Sequence, residues 1–130
     1  MASQQQDRRK GQRVEANLRL SVNVPLPDGR QVPATMETLN ISTSGIYFKS
    51  DHYIEPMTKL DMDLELPVEG EDGQRRTVTA SCEGIVVRVL PETENETAAH
   101  YEIAVFFTHI DSDGLEHLQQ HISSLLAAAS

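Results

Sequence analysis

Ala16-Asn17-Leu18-Arg19-Leu20-Ser21-Val22-Asn23-Val24-Pro25-Leu26 puts an apolar residue at every even position and a mostly polar one between them. A period of two belongs to a strand with one face buried and the other in water. The stretch therefore predicts a half-buried strand over residues 16–26. Pro27-Asp28-Gly29-Arg30 supplies turn chemistry, and Val32, Ala34 and Met36 resume the alternation, so the first two strands read as a hairpin. Downstream, residues 46–49 and then Leu60, Met62, Leu64 and Leu66 repeat the pattern, the latter with Asp61, Asp63 and Glu65 on the opposite face. Val78, Ala80 and Cys82 continue it until Glu83-Gly84, where a bulge is expected. Ile85-Val86-Val87-Arg88-Val89 is apolar on both faces except at Arg88, which reads either as an edge residue or as a side chain aimed into a site. Tyr101, Ile103, Val105 and Phe107 form the last strand, with Ala104 and Phe106 on its other face.

Asp111-Ser112-Asp113-Gly114 then signals a helix start, and Asp113 with Glu116 has capping-box spacing. Leu115, Leu118, Ile122, Leu125 and Leu126 share one stripe of a helix over about residues 112–128. The sum is an all-β class, a six-stranded antiparallel barrel, closed or nearly so, with a C-terminal helix against it. With 130 residues the chain suits one domain, residues 15–130, behind a basic arm over residues 1–14.

Two polar clusters interrupt this pattern. Asn40-Ile41-Ser42-Thr43-Ser44-Gly45 lies between apolar runs and offers one amide, three hydroxyls and a glycine. Such residues build turns, and they also allow another molecule to approach the main chain. Near the N-terminus, Asp7-Arg8-Arg9-Lys10-Gly11-Gln12-Arg13 sets Arg9 and Arg13 four apart, with Arg8 beside them. The whole chain carries a net charge of -9, which opposes general affinity for DNA, RNA or anionic lipid. Residues 1–14 nonetheless hold four basic residues against one acid, a small cationic arm on an acidic body. That arm suits a compact anion.

An Arg-x-x-x-Arg element followed about 30 residues later by Asp/Asn-x-Ser-x-x-Gly resembles the PilZ domain, a bacterial receptor for cyclic di-GMP. Arg9 and Arg13 match the first motif; Asn40, Ser42 and Gly45 match the second. The resemblance implies a PilZ-type split barrel and a non-enzymatic role. It also implies that the arm is flexible and closes over the nucleotide, changing the surface shown to a downstream protein that the sequence does not identify. Arg8, directly before the motif, is associated in this family with an intercalated pair of ligand copies. Asn40 stands where Asp is commoner. The chemistry agrees with the residue types. Arginine pairs two acceptors on phosphate or on the guanine O6 and N7 edge, Asn40 and Ser42 can donate and accept, and Gly45 keeps bulk from the base. Arg88 is an additional candidate. The alternative is a PilZ-like adaptor that binds protein and no nucleotide.

Other classes lack their residues. The single Cys82 and the scattered His52, His100, His109, His117 and His121 make no recognisable nucleophile or metal constellation, so neither catalysis, metal nor cofactor is expected. Asp61, Asp63 and Glu65 read as a solvated face, as do His117 and His121 on the helix. A single-strand-binding barrel would need more stacking aromatics and a basic groove. Residues 1–6 are polar, without a signal or an anchor, so the expectation is a cytoplasmic protein that does not insert into membranes.

Overall fold

Period-two alternation closes this chain upon itself. A computed structural model describes residues 13–26, 28–70, 72–93 and 97–129. Among them the elements are β1 (Val14–Glu15), β2 (Arg19–Pro25), β3 (Gln31–Ile41), β4 (Gly45–Ser50), β5 (Lys59–Glu69), β6 (Arg75–Leu90), β7 (Tyr101–Ile110) and α1 (Ser112–Ala129). The strands follow the order β1-β3-β2-β5-β6-β7-β4, every pairing antiparallel, and β4 pairs again with β3 so that the sheet forms a ring. The inward residues are those that alternation selects: Leu20, Val22, Leu60, Leu64, Leu66, Phe48 and Ile103 are at most 1% exposed. Burying each such side chain contributes about 1.5–3 kcal/mol, so the ring is held by its own filling.

The structure corrects the expected six strands to seven. The run read as one strand over residues 16–26 enters the ladder only at Arg19, as β2, and an unexpected short β1 over residues 14–15 precedes it, with residues 16–18 outside the ladder between them. Val14, Ala16, Leu18 and Leu20 all stay buried through the break, so the periodicity gives no sign of it. The cause lies on β3. Thr38 is wholly buried; its hydroxyl donates to the Ala16 carbonyl (2.6 Å) and accepts the Leu18 N–H (2.8 Å). Its own N–H donates to the Leu18 carbonyl (3.0 Å). The side chain thus satisfies backbone groups that the ladder leaves unpaired, as burial demands. Past this point β1 runs beside the end of β3, with Val14 opposite Ile41 and Glu15 opposite Asn40.

The bulge expected at Gly84 is present as a register shift between Glu83 and Gly84, inside one continuous β6. A Cβ there would press on the Val105 side chain and the Phe106 carbonyl. A second shift falls between Val86 and Arg88. The helix packs on β6, β5 and β1 through Leu118 and Ile122. Its N-terminal cap is Asp111, whose carboxylate accepts the Gly114 N–H at 2.6 Å; the expected pairing of Asp113 with Glu116 is displaced by two residues. His117 and His121 are half-buried rather than solvated, and burial lowers the His121 pKa.

Replacing Thr38 by Val keeps the shape but leaves the Ala16 carbonyl and Leu18 N–H without this partner. Urea unfolding should show a loss of about 2–4 kcal/mol, because each orphaned buried group costs about 1–3 kcal/mol. Thr38→Ser, which keeps the hydroxyl, should lose clearly less.

Candidate functional site

Arg13 and Asn40 are 27 residues apart in sequence and meet in space: Arg13 Nη1 donates to Asn40 Oδ1 at 3.0 Å. Two features bring them together. β1 delivers Arg13 to the end of β3, and the β3–β4 pairing holds Asn40 opposite Tyr47. Arg8 and Arg9 lie outside the described residues.

Ser42 is wholly buried, and its hydroxyl is turned into the loop. It accepts the N–H groups of Ser44 (3.1 Å) and Gly45 (3.2 Å) and lies 3.0 Å from the Ser44 hydroxyl. The Ser42 N–H donates to the Gly45 carbonyl at 2.9 Å, which closes the turn. Side-chain oxygens at such positions replace backbone partners that a tight turn cannot supply. Gly45 pairs with Phe106 on β7, and a Cβ on it would collide with the Val105 carbonyl. The close approach of β4 to β7 therefore requires glycine here before any ligand does.

Pairing extends the site across the sheet. Glu15, Asn40, Tyr47, Ala104 and Arg88 are successive cross-strand partners on β1, β3, β4, β7 and β6. Directly paired residues point to the same side of a sheet, and the inward positions beside them are Ile46, Phe48, Ile103 and Val89, so this row faces outward. Arg88 is exposed in that row. Neither Tyr47 nor Glu102 was a candidate on sequence; Tyr47 Oη donates to Glu102 Oε1 at 2.6 Å. This bond, then burial and the carboxylate's charge, raise the tyrosine's pKa, while the Arg88 and Arg13 charges pull it down. Two cations, a carboxylate, an amide and a phenol thus share one exposed area. The position of Tyr47, two residues after Gly45 on the outward face of β4, was its only sequence signal.

A groove of about 640 Å³ adjoins this area, lined by Arg19, Glu37, Lys49, Asp51 and His100 among others. A smaller cavity of about 240 Å³, lined by Asp61, Asp63, Glu83 and Asp111, opens elsewhere on the sheet. Its carboxylates would repel an anion. Among the described residues no cluster of three or more His, Cys, Asp or Glu has metal-site geometry, and no helix is long and apolar enough to cross a membrane.

The architecture is an antiparallel ring with a C-terminal helix, with a cation and an amide brought together at one end. The PilZ domain model matches residues 7–124, and the chain belongs to that family. Among solved structures, the Bacillus subtilis inhibitor of motility (MotI/DgrA) is similar, with TM-score 0.64 and 21% identity over 88% of this chain and 50% of that one. K. pneumonia MrkH in its apo state gives TM-score 0.61 and 16% identity, covering 90% of this chain and 50% of that one. The MrkH complex with c-di-GMP gives 0.58 and 14%, covering 94% and 54%. This chain spans about half the length of these solved chains. No curated protein matches it by sequence.

Ser42→Ala should destabilise the protein by about 1–3 kcal/mol in chemical denaturation, since two N–H groups lose their acceptor. Ser44→Ala, at an exposed position, should cost under about 1 kcal/mol.

Proposed function

We propose that this chain is a non-enzymatic receptor for cyclic di-GMP, in which the arm carrying Arg8, Arg9 and Arg13 closes over nucleotide seated beside Asn40, Ser42 and Gly45. The observation that carries this reading is the Arg13–Asn40 hydrogen bond at 3.0 Å, because it joins the two motif segments in one place. Membership of the PilZ family and the MrkH complex with c-di-GMP support the choice of ligand. The chemistry is recognition only. Arginine forks take phosphate oxygens or the O6 and N7 edge of guanine, and Arg88, in the same outward row as Asn40, adds a fourth arginine and a surface on which a base can stack. Ser42 and Gly45 act by shaping the turn that presents Asn40. Arg8 provides the extra charge that an intercalated pair of ligand copies requires.

Output passes through a protein partner. Phe106 and Val87, 54% and 56% exposed, flank Gly45 and Arg88, and an exposed apolar pair beside the ligand site supports a docking surface that the closed arm would alter.

Calorimetric titration with cyclic di-GMP should give selective micromolar binding that Arg9→Ala combined with Arg13→Ala abolishes, with cyclic di-AMP and GTP inactive. The molar ratio at the inflection counts ligand copies: two support the role of Arg8, one removes it. No binding at all would favour the nucleotide-free adaptor.

A further inference from the structure

Glu102 is an anomaly in a site for an anion. Its carboxylate lies on the outward face of β7, one pleat from Ala104, and is only half-buried. Tyr47 holds one of its oxygens at 2.6 Å, and Lys49 faces it across the β4–β7 pair. Phosphate is repelled by such a group. Guanine, however, carries donors on one edge, N1–H and the N2 amine, and acceptors at O6 and N7 on the next. A carboxylate can accept both donors at once.

The register sets where these groups stand. Asn40 on β3, Tyr47 on β4 and Glu102 on β7 occupy three neighbouring strands, and Glu102 pairs with Lys49, two residues along β4 from Tyr47, so the Asn40 and Glu102 backbones stand diagonally about 12 Å apart. The three side chains rise from one outward face, and Tyr47 stands between the other two with its hydroxyl on Glu102. Arg13, hydrogen-bonded to Asn40, can take acceptor atoms of a ligand at one end of this row, and Glu102 can take donors at the other. The phenol fixes the carboxylate in place by one bond and leaves its remaining lone pairs for a ligand. We infer that Glu102, positioned by Tyr47, reads the N1–H and N2 amine of a guanine, so that this pair sets the choice of guanine over adenine or hypoxanthine. Adenine presents an acceptor at N1, which the carboxylate rejects. Hypoxanthine keeps N1–H and loses the amine.

This inference rests on the receptor reading above, and the test separates the two. Cyclic di-GMP and its inosine analogue, cyclic di-IMP, are titrated into wild-type protein, Glu102→Gln, Tyr47→Phe and Arg13→Ala. Wild type should prefer cyclic di-GMP by about tenfold or more. Glu102→Gln should lose about tenfold for cyclic di-GMP and bind both ligands alike, while Tyr47→Phe should lose part of the preference. Equal affinity of wild type for the two ligands overturns the inference without any mutation. So does an unchanged or tighter cyclic di-GMP affinity in Glu102→Gln, which would make the carboxylate only a repulsive charge. If wild type binds and Arg13→Ala does not, the receptor reading survives either result; if wild type binds neither ligand, both readings fall.

Discussion

A single buried hydroxyl sets where residue 13 meets the end of β3. Along β2 and β3 the pairing runs Leu20 to Met36 and Arg19 to Glu37, and unbroken it would carry Val14 to Ser42. The extra residue accommodated over 16–18 moves the register by one, so Val14 meets Ile41 and Glu15 meets Asn40. Such a slip is tolerated only where the displaced backbone groups find other partners, and the Thr38 side chain is the partner for two of them. Both sides of its hydroxyl are used, once as donor and once as acceptor. The buried residues Val14 and Ile41 then pair inward, and Arg13, one residue earlier, is left outside beside the Asn40 amide.

From that point the site is a consequence of pairing. No linear motif contains Asn40, Tyr47, Ala104 and Arg88, yet three successive strand pairs line them up on one outward face. The ring closure between β3 and β4 is essential to this, because without it Asn40 would lie on a free edge far from β7. Charge is arranged locally against the molecule's overall sign. The chain is acidic, with many carboxylates on the outward face of β5, while on the outward face of β1, β4, β7 and β6 the cations Arg13, Lys49 and Arg88 stand among Glu15 and Glu102. Screening beyond about 8–10 Å makes the near cations count for more than the distant acids.

The strands were legible because burial imposes a period of two and six of them are long enough to display it. β1 was not, because a bulge between residues that remain buried leaves the apolar pattern untouched. The helix was legible as a stripe, but its cap was misread: Asp111 and Asp113 have the same chemistry, and only the start at Ser112 selects the former. The Asn40–Gly45 motif was visible, while the reason for two of its residues was not. Ser42 and Gly45 answer to the turn and to the packing of β4 on β7, which no six-residue pattern contains. Tyr47 and Glu102, 55 residues apart, depend entirely on register and had no signal beyond position.

Asn40 in place of the commoner aspartate changes the energetics of the arm as much as those of the pocket. An aspartate there would form a charge-assisted pair with Arg13, roughly twice as strong as a neutral hydrogen bond, and would neutralise the cation before any ligand arrived. The Asn40 amide orients the same guanidinium through one hydrogen bond at 3.0 Å and leaves its charge intact. In the proposed receptor, an incoming phosphate would meet a positioned but uncompensated arginine, and the exchange of partner would cost about 0.5–1.5 kcal/mol instead of the separation of an ion pair. On that proposal, asparagine at residue 40 would weaken direct contact with a donor edge while making Arg13 easier to recruit.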